Sequence, residues 1–206
     1  MVLTLLPALS SVASAAGATS YLDVSGNAAV SPSTTLDYTG QTALGAAGTP
    51  TWYSVAGNQV STSRIVISGD VRIILEDYCH LDASSGGIQV QGTDSLTIYA
   101  QSKGGSMGSL TATGSSGGAG IGSGGYNAGG NITITGGGIT ATGGNYGAGI
   151  GGGDRRNGGN ITISGGNITA TSRNFGAGIG VGYDSGGGGN ITITGGKITA
   201  HYTFCG

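Results

Sequence analysis

"GAGIGGGDRRNGGNITISGGNITATSRNFGAGIG", residues 147–180, opens and closes on the same five residues. The Gly-Ala-Gly-Ile-Gly pattern begins at Gly118, Gly147 and Gly176, two steps of 29. Asn-Ile-Thr-Ile-Thr/Ser begins at Asn131, Asn160 and Asn190, steps of 29 and 30. A third pattern, Leu/Ile-Thr-Ala-Thr, opens at Leu110, Ile139 and Ile168 and returns as Ile-Thr-Ala-His at Ile198. Three short extended segments therefore alternate with glycine-rich corners in each period. This repeat decides how the composition is read. With 47 Gly among 206 residues and few charges, the chain could otherwise pass for a low-complexity, disordered one.

Within each segment the apolar residues alternate with polar ones, which puts positions i and i+2 on one face of a strand. Ile132 and Ile134 point inward with Thr133 and Thr135 outward; Ile139 and Ala141 point inward with Thr140 and Thr142 outward. The same parity sets Ala148 and Ile150 inward and leaves Gly147, Gly149 and Gly151 as an outward, flat glycine surface. One repeat cannot bury its own inward face, but copies stacked about 4.8 Å apart pair as parallel strands and line Ile on Ile. The expected fold is all-β: a parallel β-helix with three short strands per rung and Gly-Gly at the bends.

The pattern continues weakly upstream, in "SLTIYA" from Ser95, "HLDA" from His80 and "VRIIL" from Val71, so about five rungs are expected from Val71 onward. Residues 64–206 are read as the β-helix. Residues 16–63, which hold the only Trp and no repeat, are read as an N-terminal cap over the first rung. Residues 1–15 carry an apolar run and Ala13-Ser14-Ala15, a small-x-small site like that of a secretory leader, without a basic start. They are read as a possible signal peptide or a retained tail. No segment is long enough to span a membrane as a helix.

The order "YLDVSGN", "WYSVAGNQVSTSRIVISGDVRIILEDYCHLDASSGGIQV", "DSLTIYAQSKGGSMGSLTATG" and then the GAGIG and NITITGG repeats resembles the glycine-rich β-helix repeat proteins that bacteria, chiefly Gram-positive ones, display or secrete. Those proteins are often labelled carbohydrate-binding or adhesin-like and are similar in shape to the right-handed, pectin-lyase-like β-helices. The resemblance implies a right-handed helix at the cell surface or outside the cell. It implies little about activity, because the family is defined by its repeats.

Candidate chemistry is sparse. Of nine acids only Glu76, Asp77 and Asp82 cluster, fewer than the six to eight oxygens calcium takes. His80 and His201 fall on different columns of the repeat, and no Ser-His-Asp order or Cys-His pairing emerges. Catalytic residues, metal and cofactor are therefore expected to be none. A net charge of −2 with no basic stripe argues against nucleic acid.

Binding is what the residues leave. Tyr146 and Phe175 share a column beside GAGIG, with Tyr126 and Tyr183 in the corner that follows; sugar rings stack on such side chains, although the pair could equally stack on itself. The partner expected is a polysaccharide or cell-surface glycan. The outward threonines, Thr111/Thr113 through Thr192/Thr194, repeat at a spacing like that of ice-binding solenoids. The end of the helix offers a further surface, with Tyr202 and Phe204 as an aromatic plug. Cys79 and Cys205 lie four rungs apart, about 19 Å, too far for a disulfide within the chain. Either both thiols are free or each meets another molecule in a head-to-tail filament. The favoured reading is a non-enzymatic extracellular adhesin or structural module with carbohydrate binding. The rivals are a self-assembling fibre subunit, a polysaccharide-active enzyme and an ice-binding protein.

Overall fold

A computed structural model of the chain describes residues 17–36, 42–125 and 127–203. Every element among them is a strand. The first two, β1 (Gly17–Leu22) and β2 (Ala28–Thr35), form an antiparallel hairpin. The next eighteen come in threes. The first rungs are β3 (Ala43–Leu44), β4 (Thr51–Val55), β5 (Asn58–Val60), then β6 (Ile65–Ile67), β7 (Asp70–Leu75), β8 (His80–Gly86), then β9 (Ile88–Gln89), β10 (Ser95–Ala100), β11 (Ser109–Gly114). They are followed by β12 (Ile121–Gly122), β13 (Asn131–Ile134), β14 (Gly138–Thr142), then β15 (Ile150–Gly151), β16 (Asn160–Ile163), β17 (Asn167–Ser172), and last β18 (Ile179–Gly180), β19 (Ile191–Ile193), β20 (Lys197–Tyr202).

From β3 onward each strand pairs in parallel with the one three places later, giving three sheets. One runs β1-β2-β4-β7-β10-β13-β16-β19, the second β5 to β20, the third β3 to β18. A chain that meets itself every third strand winds as a three-sided parallel β-helix. The register is the one the repeat implies: Ile132 beside Ile161 beside Ile191, Ile139 beside Ile168 beside Ile198, and Ile121 beside Ile150 beside Ile179. Up to the last rung these columns point inward and join one buried core of Ile, Leu, Val and Ala; in the last rung Ile179 and Ile198 pack against it partly buried, while Ile191 is exposed. Glycine turns the corners. Gly137, Gly166 and Gly196, each just before or opening the approach to a strand of the second sheet, have φ of 95°, 93° and 91°, a region costly for a residue with a Cβ.

Two features differ from the sequence reading. First, part of the stretch read as a cap is itself a rung: β3, β4 and β5 pair in parallel with β6, β7 and β8, which makes six rungs. Its strand Thr51-Trp52-Tyr53-Ser54-Val55 keeps the alternation, with Tyr53 and Val55 buried, but shares no residues with the repeat and so is invisible to a search for identity. Second, the β1–β2 hairpin does more than extend the long sheet. β2 pairs with β4, while β1 reaches across to touch β10, where Ser20 Oγ accepts from Gln101 Nε2 (3.5 Å). Beneath it lie Ile74 and Tyr99, which occupy outward positions of β7 and β10 yet are 0% and 8% exposed. A second, thin apolar layer is thus packed on the outside of the long sheet.

Candidate functional site

The corner that leads from the second sheet to the third carries the aromatic residues. Tyr146 N–H donates to Ser116 O and Phe175 N–H to Asn145 O (both 3.2 Å), so Gly117, Tyr146 and Phe175 stack as one column. The loop beyond β18 folds back against it, with Tyr183 N–H donating to Tyr146 O (2.8 Å). Three rings converge as a result. Tyr146 and Phe175 lie nearly parallel, 9° apart with centroids 5.7 Å apart, and Tyr183 tilts against both at 5.6 and 5.2 Å. They remain 37%, 50% and 41% exposed, so the cluster is a surface feature despite its internal packing. Tyr126 lies outside the described residues.

One rung lower, Asp154 takes the position of Tyr183: its N–H donates to Gly117 O (2.7 Å). Its Oδ1 is buried without a hydrogen-bond partner, a costly arrangement beside an aromatic cluster. Arg155 and Asp184, next in the two loops, form an ion pair of 3.7 Å at 57% and 70% side-chain exposure, which contributes little stability.

The flat glycine surface expected beside the rings is corrected here. Gly147, Gly149 and Gly151 are buried. A Cβ on Gly149 would come within 2.6 Å of Gly178 O and of Thr171 N, because the segment packs edge-on against the backbone of the neighbouring rung and of the second sheet. Close approach of chain to chain, rather than of ligand to chain, is what these glycines permit. The outward threonines do stand in register as expected, and the asparagines that open the motif of the long sheet stack with them. Asn160 Nδ2 donates to Asn131 Oδ1 (2.8 Å) and Asn190 Nδ2 to Asn160 Oδ1 (3.1 Å), an amide ladder along the long sheet.

His80 has a partner that chain order hid. Its Nδ1 lies 2.9 Å from Ser109 Oγ on the next rung. Cys79 O also lies within reach of the Ser109 hydroxyl (3.1 Å), so carbonyl and imidazole compete for its single proton, and the tautomer of the ring decides between them. Asp77 Oδ1 accepts from Ser102 Oγ (2.7 Å), and Asp82 Oδ1 accepts from Ser84 N–H (2.8 Å). Among the described residues no three His, Cys, Asp or Glu side chains gather as a metal site.

Of the residues read as a self-assembly surface, Cys79 is free and 2% exposed, and burial pushes its thiol up to about 11. That placement takes it away from any contact between molecules. Tyr202, at the end of β20, is 67% exposed; Phe204 and Cys205 lie outside the described residues.

The sequence reading missed a second aromatic group. Tyr21, Trp52 and Tyr99 pack with centroids 4.6 to 5.3 Å apart under the hairpin. Arg72 lies over the Trp52 ring (5.1 Å) and pairs with Asp70 (2.9 Å), a hydrogen bond that holds its guanidinium above the usual range. Ile74 in "VRIIL" and Tyr99 in "SLTIYA" were the available signal, apolar residues at outward positions. This group is largely the mortar of the second layer. Comparison with protein-family models, with curated proteins and with solved structures gives no match.

Proposed function

We propose that this chain is a non-enzymatic, glycan-binding β-helix that works at the cell surface or outside the cell. The observation that carries the reading is the trio Tyr146, Phe175 and Tyr183, held on a rigid corner while each ring keeps more than a third of its surface in water. A cluster that served packing alone would gain by burying that apolar area, at about 25 cal/mol per Å². Rings so placed offer edges and outer faces to the C–H surfaces of a sugar. Changing Tyr146 and Phe175 together to Ala should abolish retardation of the protein in gels containing soluble polysaccharide and leave its β circular dichroism intact. Unchanged retardation would remove these rings from the function.

A second reading, a head-to-tail fibre subunit, is favoured by one observation. Among the described residues β18, β19 and β20 have no strand on their outer side, and Ile191 and Ile193 are 44% and 48% exposed there. Such an edge pairs readily with another chain. Sedimentation across a wide concentration range tests it: growth of large species supports assembly, and a constant monomer mass excludes it.

A further inference from the structure

We infer that the glycan bound by the aromatic trio is anionic, a chain bearing carboxylate or sulfate groups that pair with Arg173. The inference rests on the reading of that trio as a glycan site. Directly beside the rings lies an open hollow of about 500 Å³, walled by Ser84, Ser85, Thr113, Ser116, Asn145 and Arg173. Asn145 immediately precedes Tyr146 and Arg173 stands two residues before Phe175, so hollow and rings share two loops. Hydroxyls and an amide line the walls, the donor and acceptor set that sugar hydroxyls match.

The charge in the hollow has one sign. Arg173 is its only charged lining residue, is exposed, and has no ion-pair partner among the described residues. A second guanidinium approaches the other end. Arg64 donates from Nη2 to Ser115 Oγ (2.8 Å), from Nε to Gly86 O (2.9 Å) and from Nη1 to Gln89 Oε1 (2.9 Å), all neutral acceptors. Burial pushes its pKa down, as expected for a cation without a counter-charge. Ser115, Gly144 and Arg173 succeed one another at equivalent positions of three rungs, so the backbone of Ser115, whose hydroxyl Arg64 binds, and that of Arg173 stand about 10 Å apart along the axis.

The neighbouring acids do not neutralise this arrangement. Asp82 is held by Ser84 and Asp184 faces Arg155, and among the described residues no acid lines the hollow or forms an ion pair with Arg64 or Arg173. A neutral glycan would bring no counter-charge to Arg173 or to Arg64, whose own hydrogen bonds all go to neutral acceptors. An acidic one supplies carboxylates or sulfates at intervals along a chain that can lie on the rings.

The test uses the full chain in affinity electrophoresis against a soluble polyuronate, a sulfated glycan, a neutral glucan and single-stranded DNA. Retardation by the polyuronate or the sulfated glycan, but not by the glucan, is expected, and the better of the two identifies the anionic group. It should weaken as salt passes about 0.15 M, where the screening length is about 8 Å. Arg173→Gln, an exposed change that leaves the core untouched, should weaken binding to the anionic glycan about fivefold, the upper value for an exposed ion pair. Equal retardation by glucan and polyuronate, with Arg173→Gln unchanged, would overturn the inference and leave glycan binding standing. No retardation by any glycan would overturn both, and retardation by DNA alone would assign the cations to nucleic acid.

Discussion

Ile161 occupies the middle of a column, between Ile132 and Ile191, and is 1% exposed. Truncating it leaves a void that the rungs on either side cannot close without breaking their ladders. Ile161→Ala should therefore cost about 2–5 kcal/mol in urea unfolding; a loss below about 0.5 kcal/mol would contradict the inward assignment. Cys79 makes a pH-dependent contribution whose sign follows from its environment. Burial raises its folded pKa from 9.0 to about 11, so the folded protein holds the thiol proton longer than the unfolded chain does. The stabilisation is complete below pH 9, and it is lost as pH climbs through that interval. Unfolding midpoints measured across it should fall, and Cys79→Ala should flatten this part of the profile. The native thiol should also resist maleimide until the protein is denatured.

The hairpin β1–β2 is the element whose attachment is least obvious from its residues. Its hold on the outer face of the long sheet runs through Tyr99, which touches both Tyr21 and Trp52. Tyr99→Ala removes the shared contact and should cost about 3 kcal/mol. Because Trp52 is the only tryptophan, its fluorescence reports this layer alone. A red-shifted emission with the β circular dichroism retained would locate the damage in the hairpin's contact. An unshifted spectrum would mean that β1 is held by other contacts.

For the molecule as a whole, stability is a sum of rungs and the interfaces between them, so position along the axis matters more than composition. A middle strand such as β13 has neighbours on both sides, whereas β19 has one among the described residues. Amide hydrogen exchange should consequently be slowest through β10, β13 and β16 and several-fold faster in β19, although β13, β16 and β19 carry nearly the same residues. Uniform protection along that series would show that the end of the helix is covered in solution. Position also decides the fate of the candidate surface, since the hollow and the rings exist only where loops from successive rungs lie side by side.

The repeat was legible from residue order alone. A period of 29 or 30 with alternating Ile and Thr permits one economical way of burying the isoleucines, and the observed register of Ile132, Ile161 and Ile191 follows from it. The column of Tyr146 and Phe175 was legible for the same reason. What lay beyond the period required the fold. The early rung β3–β5 has alternation without identity, and Tyr183 reaches the rings only because its loop folds back over the corner. The glycines of GAGIG look outward by parity but are covered by the backbone of the next rung. Arg64 and Ser115, 51 residues apart, meet through a side chain that crosses rungs. Sequence order determines contacts that recur with the helical period, because each rung repeats the environment of the last. Contacts made by loops and by the hairpin depend on how far an individual segment departs from that period, and only the folded chain specifies the departure.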